Sequence, residues 1–299
     1  MRVGVIYHEA FGSYGYPVLK SRVKPSFDYM RSTGLLNRKN IQVFTPAAAP
    51  LELVRKVHTE QHIKMVIETS YWDIALLSAG SAVLATELLA RDRIDAAFAY
   101  IGTAGHHASR EGFWGFCYLN DIAIAIERAR ELGLEKFLII DIDPHYGDGT
   151  RNIFISDLNV MHINFYSTGS IAYLDIEQEA FSPSRTIQEN FNYKLNKFDI
   201  GLPADTEDRH FLRELDRVLE IEDIKQFNCA ICFIVFGHDS HKDDYGGLEL
   251  TSNFYPEFTR KIKKFIEDKK AKLCFVLSGG ANVEVAKAAI SEVIQVLSS

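Results

Sequence analysis

Eight short apolar runs, most of them continuous rather than alternating, set the terms on which this chain can fold. They cover residues 2–7, 41–44, 95–101, 136–142, 158–165, 197–201, 228–236 and 272–277, and β-branched and aromatic side chains recur in them. A strand that alternates apolar and polar residues buries one face. A strand that is apolar throughout is buried on both, as in a parallel sheet covered by helices. Patterns of helical period lie between the runs, at 51–68, 74–91, 119–132, 208–219, 253–268 and 284–297. Asn120-Asp121 and Asp208 stand where caps would open two of them. Alternating strands and helices build βαβ units, so the expected fold class is α/β: a three-layer αβα sandwich around a mostly parallel sheet of about eight strands. No repeat, low-complexity tract or linker interrupts the pattern, and one domain over 1–299 is expected. The segment 166–196, rich in Ser, Asn, Gln and Tyr, is expected to be a long loop with functional use.

Charge and apolar content exclude several function classes. Asp and Glu outnumber Lys and Arg by 40 to 33, and the basic residues cluster only at Lys261–Lys264 and Lys269-Lys270, on the solvated face of a late helix. Direct nucleic-acid binding is not expected from such a surface. A net charge of −7 suits cationic substrates. No stretch approaches the ~18 uninterrupted apolar residues of a membrane span. The first residues, Met1 to His8, read as a strand rather than a signal peptide, so a cytoplasmic location is expected. Cys229 and Cys232 have CxxC spacing but lie in the apolar run 228–236. Residues three apart on a strand point to opposite faces, so the two thiols cannot chelate one metal and read as core cysteines.

In open parallel sheets, ligands bind beyond the carboxyl ends of the strands. Four loops qualify: Gly102–Arg110, Asp141–Thr150, Gly237–Gly247 and Ser278–Asn282. The second holds Asp141, Asp143, His145 and Asp148 within eight residues of a buried strand. Buried unpaired charge is costly, so such groups either pair or bind a metal, and an Asp/His mixture suits zinc or a similar divalent ion. The first loop carries adjacent histidines, His106 and His107, able to act as a general base and an electrostatic partner. The third carries Gly237-His238-Asp239-Ser240-His241. His58 and His62 lie one helical turn apart, but Glu60 is out of place for HExxH, and they read as surface and packing residues. Trp72 and Trp114 read as packing residues too, with contact to substrate the alternative for Trp114, which precedes Gly115.

On Gly105-His-His-Ala108, Gly115-Phe-Cys-Tyr-Leu-Asn-Asp121 and Asp141-Ile-Asp-Pro-His-Tyr-Gly-Asp-Gly-Thr150, the chain resembles the histone deacetylase family of the arginase–deacetylase fold. The likeness is to its prokaryotic-type members, acetylpolyamine- and acetoin-utilisation-like. Val57-His58-Thr59, Gly237–Asp239 and Asp243–Thr251 add to it. The resemblance implies a zinc-dependent hydrolase of an acylated amine, either a small molecule or acyl-lysine. It implies one Zn2+, or another divalent ion such as iron or cobalt, on Asp143, His145 and Asp239, and K+ near Asp141. It makes His107 the general base and His106 its electrostatic partner, oriented by Asp148 and Asp141 respectively. Gly115 and Phe116 are expected to wall the acyl channel, with Phe165 or another aromatic of 164–193 opposite and Gly280 in contact with substrate. Arg22 matches an arginine that lines the family's inner cavity.

One position departs from the pattern. Members efficient on acetyl-lysine carry a tyrosine after the late Gly-Gly pair, where its hydroxyl donates to the developing oxyanion. Here Gly279-Gly280 is followed by Ala281. Tyr245, His241, Asn282, Tyr14 and Tyr16 are candidates to replace it. The alternatives are a substrate with a more reactive acyl group or its own hydrogen-bond donor, and a protein that binds acyl-amides with little turnover. A two-metal ureohydrolase of the same fold is disfavoured, since Gly147 and His241 stand where the second metal needs carboxylates.

Overall fold

The computed structural model describes residues 1–169 and 186–299. Nine strands among them form one sheet: β1 Val3–Ile6, β2 Ile41–Phe44, β3 Ala96–Ala99, β4 Phe137–Asp141, β5 Val160–Ser167, β6 Gln188–Asn192, β7 Lys197–Leu202, β8 Ile231–Phe236 and β9 Lys272–Leu277. Their order is β2-β1-β3-β9-β8-β4-β5-β7-β6. Every pairing is parallel except β6 against β7. The apolar runs became the parallel strands, and β3, β4 and β8 are buried from end to end. The ninth strand lies inside the segment expected to be a loop. Its sequence, Gln-Glu-Asn-Phe-Asn, is polar because it is an exposed edge strand.

Helices cover the sheet and complete a three-layer αβα sandwich. Trp72–Ala90 packs on Asp121–Glu131, while Pro17–Ser32 and Phe254–Lys269 pack on Val283–Leu297. Pro17–Ser32 lacks a clean helical signature in the sequence because Pro25 sits inside it. The expected helix 51–68 is two helices, Leu51–Val57 and Glu60–Ile67, broken where His58 turns inward and Thr59 caps the second by accepting from the His62 N–H. Trp72–Ala90 is long and apolar enough to cross a bilayer by composition, but two-thirds of that window (67%) is buried inside the protein. A helix apolar on all sides is what a core position requires. All four cysteines are free and buried.

The strand order has a consequence for function. β3, β9, β8 and β4 are immediate neighbours and run parallel. The four loops at Gly102, Asp141, Gly237 and Ser278 follow these four strands, so they emerge side by side at one end of the sheet.

Gly80, inside the helix Trp72–Ala90, shows how closely the layers meet. A Cβ there would lie 1.8 Å from the Ala47 carbonyl oxygen, in the segment that follows β2. Gly80→Ala raises helix propensity by about 1 kcal/mol, but backbone cannot yield as a flexible side chain would. The steric cost, about 1–3 kcal/mol or more, exceeds the gain. Gly80→Ala is therefore expected to lower the urea midpoint of unfolding; a raised midpoint would show that helix and loop separate easily.

Candidate active site

The loop after β4 is shaped by its own carboxylates. Asp141, the last residue of the strand, accepts from the Asp143 N–H (3.0 Å), and Asp143 accepts from the His145 N–H (3.1 Å). These turns, rather than continued strand geometry, bring Asp143 and His145 together, with His145 Nδ1 2.9 Å from Asp143 Oδ1. The same nitrogen lies 3.3 Å from Asp239 Oδ2, on the loop after β8. The loop after β9 supports the cluster from below: Ser278 Oγ and the Gly279 N–H both donate to Asp143 Oδ2, at 2.9 and 2.8 Å. Gly279 permits this approach, since a Cβ would lie 2.1 Å from Asp239 Oδ2.

Both carboxylate oxygens of Asp239 are buried and take no hydrogen bond among the described residues. A buried carboxylate without donors is stable only beside a positive charge. One ligand atom from each of Asp143, His145 and Asp239 lies within 4.8 Å of the others. Two carboxylates and an imidazole fit a divalent metal such as zinc, leaving further positions open. His145 answers to the same field: burial disfavours its charge, but Asp143 and Asp239 outweigh burial and raise it to about 10. Burial and the nearby Asp143 push Asp239 up to about 6. A metal and a proton compete for that imidazole nitrogen.

Two histidines face this cluster in different environments. His106 Nδ1 is 3.1 Å from Asp141 Oδ2, and its Nε2 is 3.7 Å from Asp143 Oδ2. Burial opposes its charge, yet Asp143 and Asp141 raise it to about 9. His107 Nδ1 is 2.7 Å from Asp148 Oδ1. Burial dominates there, helped by the neighbouring His106, and lowers His107 to about 4. Donation from Nδ1 to Asp148 leaves Nε2 of His107 as an acceptor toward the cleft. Trp114 fixes this pair. Its indole N–H donates to Asp148 Oδ2 (2.8 Å), and its ring stacks on His107 at 3.7 Å. Read as packing in the sequence, Trp114 orients both members of the pair, a role that no spacing rule signals.

A cleft of about 540 Å³ opens over these groups. Trp114, Gly115 and Phe116 wall one side; Gly169, Tyr245, Gly246 and Gly247 also line it. Gly115 and Phe116 both have positive φ, 59° and 70°. For a phenylalanine that backbone is strained, and such strain is held where surrounding structure fixes it. Phe116 also packs on Tyr16, ring centroids 4.5 Å apart. Phe165 corrects the expectation of an opposing wall. It lies on β5, buried against Phe211 at 5.0 Å, and does not line the cleft, because alternation along the strand points it into the helix layer. Other aromatics of 164–193 fall partly in 170–185, outside the described residues. Gly280 sits one residue behind the lining glycine Gly279, with its φ at 113°.

Around the cluster, Arg22 is fully buried and donates to the carbonyls of Gly279 and Ser278, with His238 Nε2 3.0 Å from Nη1. Of the candidates to replace the family tyrosine, Asn282 caps the last helix, His241 turns to Ser252 and Tyr14 is 75% exposed. Tyr16 packs behind Phe116, and Tyr245 alone of the five lines the cleft. His58 and His62 are buried rather than surface residues and stack at 4.1 Å. His58 ties together two points of the one connection between β3 and the helix Asp121–Glu131: Nδ1 lies 2.8 Å from the Ser109 carbonyl and Nε2 accepts from the Asn120 N–H at 3.0 Å.

The profile described as "Histone deacetylase domain" matches residues 16–297. A "Probable deacetylase" of Archaeoglobus fulgidus is 30% identical over 305 residues, covering 95% of this chain and 82% of that protein. "Histone deacetylase 5" of Arabidopsis thaliana is 27% identical; the alignment takes in 99% of this chain but 49% of that relative, so the chain spans about half its length. The crystal structure of the HDA15 HD domain superposes with a TM-score of 0.85 at 21% identity, covering 99% of this chain and 88% of that one, and shows the same fold.

The His58 bridge sets a pH dependence. Burial, with His62 and Arg110 adding to it, lowers His58 to about 3. The unfolded chain takes up that proton near 6.5. Between pH 6.5 and about 3 the unfolded state therefore binds more protons at this site, and stability falls as pH falls. Replacing the imidazole with an amide removes the effect. The stability difference between wild type and His58→Gln is expected to shrink by up to about 1.4 kcal/mol per unit as pH drops below 6.5. Urea titrations at pH 7.5 and 5.0 measure it; parallel curves for the two proteins would rule it out.

Proposed function

The chain belongs to the histone deacetylase family, and from that premise we propose that it is a zinc-dependent deacetylase acting on a small acylated amine or acyl-lysine. Membership makes it a hydrolase of amide bonds in a metal-dependent family. The observation that carries the finer reading is the cluster of two buried carboxylates, Asp143 and Asp239, that share the one imidazole of His145 on the cleft floor, with a ligand atom of each within 4.8 Å of the others. Asp143, His145 and Asp239 would hold the ion. Zinc bound there supplies a polarised acyl carbonyl and a water whose pKa falls from 15.7 toward about 7.

The protein's own groups then handle the proton. His107, neutral because it is buried, accepts the water proton at Nε2 while Asp148 holds Nδ1 and Trp114 holds Asp148. The water oxygen forms a bond to the acyl carbon, the carbon–nitrogen bond breaks, and His107 returns the proton to the departing amine. His106, held by Asp141, lies next to the developing negative charge as its electrostatic partner. Trp114, Gly115 and Phe116 give the acyl group an apolar wall and exclude water from one side. The cluster of Asp143, His145 and Asp239 is the one grouping of metal-ligating side chains found among the described residues, and His241 turns away from it toward Ser252. That supports a one-metal reading over a two-metal one.

A screen of acylated diamines, acylated amino acids and acetyl-lysine peptides tests the proposal, with amine release as the readout. Metal-loaded protein is expected to hydrolyse one class, and chelation to abolish it. His107→Ala is expected to lower kcat by about 100- to 10,000-fold while one equivalent of metal stays bound. Full activity after chelation, or in His107→Ala, would overturn the assignment.

A further inference from the structure

Hydrolysis of an amide puts negative charge on the acyl oxygen, and a preorganised donor aimed at that charge is worth more than any other single aid. The cleft side chains that carry a donor hydrogen can be examined in turn. His106 and His107 are tied at Nδ1 to Asp141 and Asp148. The Trp114 indole N–H is spent on Asp148, and His145 Nδ1 faces Asp143 and Asp239. Tyr245 differs. Its hydroxyl oxygen accepts from the Gly280 N–H at 3.0 Å, and among the described residues its own proton goes to no acceptor. We propose that the Tyr245 hydroxyl donates this proton in a hydrogen bond to the acyl oxygen of the substrate. The inference rests on the amide-hydrolysis reading above and names a catalytic residue for it.

The phenol is held at the reacting end of the cleft. Gly280, which donates to it, follows Gly279, whose own N–H is bonded to Asp143. The Tyr245 ring lies 5.8 Å from the His145 ring. Burial, with the charges of Asp239 and Asp143, raises the phenol far above its ordinary range, so the hydroxyl stays protonated.

Its backbone is fixed just as firmly. The carboxylate of Asp244 accepts from the N–H groups of Ala281 and Asn282 at 2.9–3.1 Å, and His238 Nδ1 faces it at 3.2 Å. Gly246 donates to the Asp239 carbonyl, and a Cβ there would lie 2.1 Å from the Pro144 ring. The loops after β8 and β9 are thus joined at Asp244, Gly246 ties the next residue back to Asp239, and a donor so anchored needs no reorganisation when charge develops. The Gly280 bond polarises the hydroxyl further, since an oxygen that accepts one hydrogen bond donates a stronger second one.

The test compares metal-loaded wild type with Tyr245→Phe, which removes one oxygen and keeps the ring. Tyr245→Phe is expected to lower kcat by about 100- to 1000-fold, with KM and metal content little changed. A trifluoromethyl ketone carried on a linear alkylamine hydrates to a tetrahedral diol and mimics the charged state. Calorimetry should show it binding Tyr245→Phe about 10- to 100-fold more weakly, while the amine product binds both proteins alike. Moving the phenol across the joined loops gives a second test: Tyr245→Leu/Ala281→Tyr is expected to regain at least about tenfold over Tyr245→Leu. A role confined to holding the loops would move melting temperature and product binding, and would gain nothing from a tyrosine at 281. The proposal is overturned if kcat of Tyr245→Phe stays within about threefold of wild type, or if both proteins bind the ketone equally. If metal-loaded wild type hydrolyses no acylated amine, the hydrolysis reading fails, and equal ketone affinities then remove the Tyr245 role separately.

Discussion

Two carboxylates, Asp143 and Asp239, are buried at the ends of adjacent parallel strands with one imidazole between them, and the surrounding architecture answers to that charge. β4 and β8 are direct neighbours, registered with Asp141 opposite Val235, so the residues that follow each strand emerge close together. β9 is the next strand along, and its exit contributes the Ser278 hydroxyl and Gly279 N–H that hold Asp143. Glycine at 279 is required there, because any side chain would enter the carboxylates. His145 Nδ1, 2.9 Å from Asp143, stands 3.3 Å from Asp239, so one imidazole faces two buried carboxylates. Such an arrangement is costly in the protein alone and favourable with a divalent cation, which is how binding energy becomes folding energy at a metal site.

The two histidines illustrate how environment divides labour between identical side chains. Both are buried and each is backed by an aspartate. His106 lies near two carboxylates, Asp141 and Asp143, and is raised to about 9, whereas His107 is lowered to about 4 by burial and by its neighbour. Trp114 makes the second environment what it is, stacking over His107 and occupying the free oxygen of Asp148. Asp244 and Tyr245 join the loops after β8 and β9.

Much of this was legible in the sequence, and the reasons are physical. Fully buried parallel strands must be apolar throughout, so their runs stood out, and the four polar loops could be placed at one end of the sheet. Asp143, His145 and the His106/His107 pair were visible because charged residues at the end of an apolar strand have few explanations. The edge strand Gln188–Asn192 was not legible, because an exposed edge is polar and reads as loop. Pro17–Ser32 was hidden by its internal proline. Phe165 was misplaced because the sequence does not say which face of β5 an aromatic takes. His58 and His62 were read as surface and packing residues; both are buried, and they brace the one connection that carries His106 and His107. Trp114 and Tyr245 act through contacts with residues far off in sequence, which spacing cannot express.

The proposed chemistry needs one ion between Asp143, His145 and Asp239. Anomalous diffraction at the zinc edge, on crystals grown with zinc and without chelator, tests it most directly. The predicted result is a single strong peak per chain, bounded by a carboxylate oxygen from each aspartate and by His145 Nδ1, and absent from Asp239→Asn crystals. A peak bound elsewhere, two peaks in the cleft, or none at that position would contradict it.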